Sequence, residues 1–131
     1  MNCPGCNYPL IVLEVEGVEI DHCLACGGVW LDAGELGLLL ADAANKDVLM
    51  QSLAAGVQGK EKKVRCPICR KHLEKVDYGT EKKVRLDKCP NNDGLWFDRG
   101  ELLDMINMGD FPVDNRVFIL LHQVFGDKSQ V

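Results

Sequence analysis

The seven cysteines are the residues of this chain whose type and spacing could do chemistry. Six of them form three Cys-x-x-Cys pairs and the seventh stands apart, in the order Cys3 and Cys6, Cys23 and Cys26, Cys66 and Cys69, then Cys89. Two residues between cysteines let both sulfurs turn toward one point, which suits a tetrahedral thiolate site. An odd total fits a closed set of disulfides poorly, and the first residues do not read as a secretory signal. The spacing therefore predicts metal binding in a reducing, cytoplasmic compartment.

Much of the chain is a repeated unit built around these cysteines. Seven residues recur 66 positions later, namely Cys23, Gly28, Trp30, Asp32, Gly34, Glu35 and Leu36 in the first copy and Cys89, Gly94, Trp96, Asp98, Gly100, Glu101 and Leu102 in the second. An internal repeat has to be recognised before a fold is assigned, because each copy is one structural unit. The sequence therefore predicts two tandem copies of one small unit.

The first copy offers a complete set of metal ligands. Four thiolates close a tetrahedral zinc and leave no position for a reactive water, so we predict a structural zinc at Cys3, Cys6, Cys23 and Cys26. A ribbon of roughly 35 residues is below the size at which chains usually fold without such a staple. Iron fits four thiolates as well as zinc does.

The second copy departs from that set, because Asn92 stands at the position of Cys26. Its three remaining thiolates belong to Cys66, Cys69 and Cys89. The fourth ligand could be the carboxylate of Asp93, another side chain such as His72, or a water molecule, and the site could also hold no metal. We favour a second zinc that is completed by Asp93.

The sequence favours a protein that is not an enzyme. An open three-cysteine zinc, or dithiol exchange at a Cys-x-x-Cys pair, is the alternative, but neither has a recognisable catalytic context. Each copy also carries an acid pair, Asp32 with Glu35 and Asp98 with Glu101. Asp at the N-cap and Glu three residues later form a variant of the capping box, so these acids have a structural explanation.

Hydrophobic alternation predicts a β-hairpin between the cysteine pairs of each copy. In the first copy residues 11–15 and 18–22 flank Gly17, and in the second residues 73–78 and 82–88 flank a turn near Gly79. Helices are expected over residues 33–45, from Arg99 to about Met108, and over 115–125, while residues 46–55 continue the first helix or form another. Both tryptophans should pack between hairpin and helix, although an exposed tryptophan could stack on single-stranded bases.

In each copy a turn that carries cysteines (a knuckle) is followed by a hairpin and a second knuckle. In the first copy the second knuckle continues as Cys-Gly-Gly-Val-Trp-Leu-Asp-x-Gly-Glu-Leu. This pattern resembles the TFIIB-type zinc-ribbon family of transcription factor zinc-finger domains. Residues 3–36 match the whole pattern, and residues 66–102 match a variant that lacks the last cysteine. The resemblance implies zinc, a ribbon fold, and contact with nucleic acid or the transcription machinery. The expected fold class is a small metal-bound α+β protein, with two tandem zinc ribbons (β-hairpin plus zinc knuckles) and accessory α-helices.

Charge is unevenly distributed along the chain, whose formal net charge is −5. Residues 1–58 contain one base and eight acids, a net charge of −7, whereas residues 60–88 contain eleven bases and five acids, a net charge of +6. The negative total disfavours generic attraction to duplex DNA. A local nucleic-acid contact through the basic segment Lys60–Lys88 stays open, as does pairing between the acidic and basic halves.

We divide the chain of 131 residues into a first zinc ribbon (1–36), a helical linker (37–59), a second, degenerate ribbon (60–104) and a C-terminal helical extension (105–131). The apolar residues of the helices exceed what two ribbons need to cover, and they are Leu36, Leu39, Leu40, Leu49, Leu53, Val117, Leu120, Leu121 and Phe125. We therefore expect a zinc-binding scaffold or regulatory module that binds another protein or itself. The alternative is a nucleic-acid-binding, transcription-related regulator. No apolar stretch is long enough to predict a membrane helix.

Overall fold

A computed structural model describes residues 1–54, 64–78 and 84–126. Along these residues the elements are β1 (Ile11–Val15), β2 (Val18–His22), β3 (Val29–Asp32), α1 (Glu35–Leu39), α2 (Lys46–Ala54), β4 (Glu74–Tyr78), β5 (Val84–Lys88), β6 (Gly94–Phe97), α3 (Glu101–Ile106) and α4 (Arg116–Phe125). None of the described helices has the length and apolar character needed to cross a membrane. The α+β class expected from the sequence is confirmed.

The strands form one six-stranded antiparallel sheet in the order β1-β2-β3-β6-β5-β4. Each copy contributes a hairpin and one further strand, so the two predicted hairpins are confirmed. Gly17 has a φ of 82° in the turn of the first hairpin, a conformation that glycine adopts without steric cost. The predicted turn near Gly79 lies outside the described residues.

The two copies are joined by strands that the sequence analysis did not predict. β3 pairs with β6 so that Trp30 lies opposite Trp96, with Leu31 opposite Leu95 and Val29 opposite Phe97. Because Trp96 is the repeat equivalent of Trp30, this register relates the copies by an approximate twofold axis. Both strands are short runs of apolar residues without alternation, which periodicity alone does not distinguish from a helical segment.

The two faces of the sheet pack against different groups of residues. Val29 and Leu31 of β3 join the main hydrophobic core, whereas Trp30 between them points to the face that carries the cysteines. The equivalent residues of β6 divide in the same way. Successive side chains of a strand point to opposite faces, so each central strand serves both the helical core and the knuckles.

The helices reach across the approximate twofold axis. α1 contacts β2 and β3 of its own copy, and α3 contacts β5 of its own copy. In contrast, α2, which follows the first copy, contacts β4 of the second, and α4, which follows the second copy, contacts β1 of the first. The helix that follows each copy thus covers part of the other copy's hairpin, and the two copies share one core.

This shared core uses the apolar residues that the sequence analysis judged surplus. Leu36, Leu39, Leu40, Leu49 and Leu121 are buried, while Val117, Leu120 and Phe125 pack against the core, and the side chain of Leu53 lies outside the description. Of the described residues named for a leftover apolar stripe, none is fully exposed, so these residues serve the core. The sequence could not show that one continuous sheet offers them a common surface.

The first helix is shorter than predicted. It begins after Gly34, whose φ is 91°, and ends at Leu39 instead of Asn45. The side chain of Asn45 donates to the carbonyl of Met108 at 2.9 Å and accepts from the amide of Asp110 at 2.8 Å. These contacts with the second copy hold residues that would otherwise continue the helix, and α2 is a separate segment.

The C-terminal helix agrees with its prediction. The side chain of Asn115 accepts from the amide of Phe118 at 2.9 Å, so it is the N-cap of α4, and Gly126 follows the last turn. In the preceding helix, α3 ends at Ile106, two residues before the expected end.

Candidate metal centres

The four cysteines of the first copy converge on one point. The side chains of Cys3 and Cys26 bring their sulfurs to 3.6 Å, and those of Cys6 and Cys23 to 3.3 Å. Two of the four cysteines are buried and two are half-buried. The knuckle backbone faces the sulfurs, since the amides of Gly5 and Cys6 donate to Cys3 Sγ at 3.3 and 3.4 Å.

The second copy assembles three cysteines and one carboxylate. The Sγ atoms of Cys66 and Cys89 each lie 3.5 Å from Oδ2 of Asp93, and Cys69 Sγ lies 3.6 Å from Cys89 Sγ. Amides of Ile68 and Cys69 donate to Cys66 Sγ at 3.4 and 3.5 Å. Of the candidate fourth ligands, Asp93 is therefore the side chain that meets the three sulfurs.

The turn of the last knuckle explains why Asp93, not Asn92, faces the cluster. In the other three knuckles a residue with positive φ directly follows the second cysteine, and these residues are Asn7, Gly27 and Arg70. In the last knuckle Asn92 itself has a φ of 64°, and its amide donates to the carbonyl of Cys89 at 2.9 Å. The chain therefore turns one residue earlier, and the following side chain enters the cluster.

The dimensions of both clusters suit zinc. Tetrahedral zinc–sulfur bonds of about 2.3 Å place neighbouring sulfurs about 3.8 Å apart. The donor atoms of each cluster all lie within 4.8 Å of one another, and the closest sulfur pairs need to separate only slightly. Thiolate sulfur and carboxylate oxygen are both zinc ligands.

The thiols have strongly perturbed acidities before a cation is considered. Burial raises the pKa of Cys3 and of Cys66 to about 12, against hydrogen bonds from knuckle amides that act to lower it. Burial also acts to raise the pKa of Cys23, but the Cys26 amide and the Cys6 side chain lower it to about 7. A divalent cation favours the thiolate forms, so metal binding releases protons and zinc affinity rises with pH.

The histidines contact other partners than the clusters. The Nδ1 atom of His22 lies 3.0 Å from the carbonyl oxygen of Gly28, and its ring packs edge-on against Phe125. His72 is exposed in a short β-bridge with Arg65. In the described part of the chain, neither belongs to a group of four donors.

The tryptophans are buried between the two clusters. Trp30 and Trp96 are 0% and 1% exposed and pack with the cysteines, not between hairpin and helix as expected. A Cβ atom on Gly28 would lie 2.2 Å from Cζ2 of Trp96, and one on Gly94 would lie 2.7 Å from Cζ2 of Trp30. The repeated Gly-x-Trp therefore reflects reciprocal packing, in which each tryptophan occupies the space left by the other copy's glycine. Burial also excludes the tryptophans as stacking platforms for bases.

The repeated acids have structural roles that differ in part from the prediction. Asp32 Oδ1 accepts from the indole Nε1 of Trp30 at 2.8 Å, and Glu35 Oε1 accepts from the amide of Asp32 at 2.7 Å. The second copy repeats both bonds, at 3.0 and 2.7 Å. The glutamate half of the capping box is present, but Asp32 is not the N-cap. A left-handed glycine takes that position, and the aspartate instead positions the tryptophan.

Glu101 gives this arrangement a measurable pH dependence. Burial, together with Asp98 and Asp87, raises the pKa of Glu101 from its ordinary 4.5 to about 7, while Lys75 acts in the opposite direction. The folded chain therefore binds more protons than the unfolded chain between these values. The stability from this group is fully present below pH 4.5 and is lost as the pH rises through about 7.

We expect Glu101→Gln to remove this loss, because glutamine keeps the acceptor for the Asp98 amide without a charge. At pH 7.5 the variant should be more stable than the parent by on the order of 1–2 kcal/mol, after allowance for solvent screening. Urea unfolding of both proteins at pH 5.0 to 7.5, with excess zinc, measures the difference between their free energies of unfolding. Protonation of the thiols affects both proteins equally, so it does not contribute to this difference. A difference that does not change with pH would contradict the prediction.

Some features of the site escaped sequence reasoning. The cysteines were evident from their spacing, and Asp93 was favoured because it lies next to Asn92. The reciprocal Gly-x-Trp packing was missed, although its signal is present in the repeat, where Gly28 and Trp30 recur together. The pairing of β3 with β6, which creates that contact, has no local signal.

Comparison with known proteins agrees with this geometry. A family model described as transcription factor zinc-finger, the TFIIB-type zinc ribbon, matches residues 2–42 and 65–108. No curated protein and no solved structure matches the chain. Both clusters fit zinc-ribbon sites, and zinc is consistent with the matched family. The two matched regions cover well over half of the chain, which therefore belongs to the TFIIB-type zinc-ribbon family as two tandem copies.

Proposed function

We propose that this chain is a zinc-built, non-enzymatic interaction module of the cytoplasm, in which the metal holds a scaffold that recognises a protein partner or a second copy. The proposed ligands are Cys3, Cys6, Cys23 and Cys26 for one zinc and Cys66, Cys69, Cys89 and Asp93 for the other. The observation that supports this proposal most directly is that each cluster offers four donor atoms within 4.8 Å of one another. Four protein donors complete a tetrahedral zinc, as in structural sites, whereas catalytic zinc keeps a position for water.

Two further features support a scaffold. The acids that could act as a catalytic pair are engaged in positioning, since Asp32 accepts from Trp30 and Glu35 accepts from the Asp32 amide. The seven cysteines are free thiols in the structure, and zinc coordination needs them reduced. A reducing cytoplasm would supply that condition.

The knuckles carry exposed apolar side chains that suit a protein partner. Leu24 of the first ribbon is 72% exposed and Ile68 of the second is 50% exposed, each between two cysteines of a Cys-x-x-Cys pair. A bound metal would fix the backbone on both sides of them. Side chains that are already ordered lose less entropy on association, which favours binding.

The double variant Leu24→Ser, Ile68→Ser tests this surface without touching the core. Zinc-loaded full-length protein is used as bait and in sedimentation velocity over a range of concentrations. We expect the parent to bind a partner protein or to self-associate, and we expect the double variant to do neither. Val113→Ser is the matched control, because Val113 is 97% exposed and lies outside the knuckles. Association that is equal in all three, or absent from the parent, contradicts the proposal.

Metal content tests the ligand assignment. We expect two zinc ions per parent chain by elemental analysis and one per chain of Cys89→Ser, because the variant removes one of four donors from the second cluster only. One zinc in both proteins would contradict a second site. Co-purified iron in place of zinc would contradict the identity of the metal.

A second candidate function is nucleic-acid binding through the second ribbon. A cleft of about 320 Å³ separates the first knuckles of the two copies. Arg65 and Arg70 line it, and none of its lining residues in the described part of the chain is acidic. Lys60, Lys62, Lys63, Lys82 and Lys83 of the basic segment lie outside the described residues. Two arginines in a concave site suit phosphate groups, although the net charge of −5 opposes long-range attraction.

Filter binding to single- and double-stranded DNA and RNA at two salt concentrations tests this candidate. Binding that weakens with salt and with Arg65→Ala, Arg70→Ala, but is kept by Lys46→Ala, supports it. No binding at low salt rejects it.

A further inference from the structure

We propose that the second cluster is an exchangeable zinc site, which releases and reloads its ion while the first cluster and the sheet stay intact. The inference rests on the proposed zinc binding of the chain and concerns the different behaviour of its two sites. It assigns to this ribbon a reversible zinc-accepting activity in addition to a scaffold role.

The first argument is the chemistry of the fourth ligand. The first cluster has four sulfurs, whereas the second has three sulfurs and Oδ2 of Asp93. Thiolates are the softer donors and are preferred by zinc, while carboxylate oxygens are harder donors that also suit other ions. Exchange of one thiolate for a carboxylate therefore lowers affinity and speeds release at the second site.

The second argument is that the carboxylate stays in place without the ion. The amide of Ala33 in the first copy donates to the carbonyl of Asp93 at 2.9 Å, and the amide of Cys89 donates to the carbonyl of Gly94 at 3.1 Å. β6 begins at Gly94 and is held by its pairing with β3. The half of the site that carries Cys89 and Asp93 is thus positioned by the first copy.

The third argument concerns the other half of the site. The knuckle of Cys66 and Cys69 closes on itself through the bonds from the Cys66 amide to Lys71 and from the Arg70 amide to Cys66. Lys71 Nζ also donates to Asn91 Oδ1 at 3.2 Å, which links the two knuckles without the metal. Both halves therefore keep a geometry to which zinc can return.

Chelator competition on the full chain tests the proposal. Protein with two zinc ions is mixed with excess chromogenic pyridylazo chelator, and zinc release and tryptophan fluorescence are followed together. We expect one equivalent to leave at least about tenfold faster than the other. The tryptophan signal should change little in the fast phase, and added zinc should reload the site.

Variants assign the phases. Cys89→Ser should lack the fast phase. The double variant Asn92→Cys, Asp93→Gly rebuilds the turn of the first ribbon, and it should slow the fast phase to the rate of the other site. Asp93→Asn, which keeps the shape of the side chain, should accelerate it.

The outcomes separate this inference from the proposed function. Equal release rates for both ions, or a fast phase that the double variant leaves unchanged, overturn the exchangeable site but leave zinc binding in place. A fast phase that unfolds the sheet overturns it as well. A single zinc per chain, held only by the first cluster, overturns the second site altogether, whereas a chain without zinc overturns the proposed function.

Discussion

Replacing Cys23 by serine is expected to remove the first zinc and to lower the free energy of unfolding by about 4 kcal/mol or more, the value for a ligand present at about 1,000 times its dissociation constant. The first cluster has the four thiolates that zinc prefers, so it should contribute more to stability than the second. Cys23 is also 0% exposed beside Trp30 and Cys3, so the loss of the ion exposes the centre of one face of the sheet. Urea unfolding with zinc present, followed by circular dichroism, gives the difference.

Two comparisons isolate the metal from the substitution. Leu24→Ser changes an exposed residue of the same knuckle and should stay within about 0.5 kcal/mol of the parent. In excess chelator the parent should fall close to the stability that Cys23→Ser has in the same chelator. A variant that keeps two zinc ions, or a parent that is unaffected by chelation, would show that the first cluster does not hold the fold.

Gly94→Ala is expected to destabilise the protein by about 3 kcal/mol, at the upper end of the range for overpacked cores. The added Cβ would lie 2.2 Å from the carbonyl oxygen of Leu31 and 2.7 Å from Cζ2 of Trp30. The first of these atoms belongs to the backbone of the paired strand β3, so it cannot turn away as a side chain can. Thermal unfolding of the zinc-loaded protein measures the effect.

Gly37→Ala is the matched control, because the nearest atom to its Cβ would be Lys46 Cε at 4.0 Å and the residue lies within α1. This variant should be neutral or more stable by about 0.5–1 kcal/mol. An equal loss in both variants would argue against the close approach of the two copies.

The equivalent glycine allows a direct test of contact between the copies. A Cβ on Gly28 would clash only with ring atoms of Trp96 among its three nearest neighbours. Gly28→Ala should therefore be strongly destabilising alone and less so in a chain that also carries Trp96→Leu. A double-mutant cycle with a coupling of about 1 kcal/mol or more measures this contact, whereas additive effects would contradict it.

The cysteine variant and the glycine variants all act on the same group of buried residues. The two knuckle clusters and the two tryptophans pack on one face of the sheet, while the helices pack on the other. Asp32 and Asp98 hold the indole groups from the rim of this group. The metal sites and the contact between copies are therefore expected to be energetically coupled, because they share neighbours.

The local parts of this fold could be predicted from the sequence. The first hairpin followed from alternation around Gly17, and α4 followed from Asn115 and the apolar spacing after it. The cysteines of the clusters followed from their pairs. The hairpin and the helix depend on residues that are close together in sequence. The cysteine pairs can be recognised from their spacing alone.

Features that depend on distant residues were predicted less well. The first helix stops early because Asn45 bonds to the turn around Met108 and Asp110. The aspartates proposed as N-caps bind tryptophans that the β3–β6 pairing holds beneath them. The Asn45 bonds join residues 63 and 65 positions apart. Each aspartate, in contrast, lies two residues from its tryptophan, and only the position of the indole depends on the distant strand.

The sequence by itself determined two ribbons, their thiolate ligands and the likeness between the copies, since cysteine spacing and strand alternation are local properties. Only the tertiary structure decided that β3 of one copy pairs with β6 of the other, and that the helix following each copy covers the other's hairpin. The backbone of an unpaired strand edge can form hydrogen bonds with any other extended backbone. The pairing partner is therefore selected by side chains that pack well on both faces of the resulting sheet. Here the selecting contacts are the glycines that admit Trp30 and Trp96, whose fit exists only when both copies are assembled.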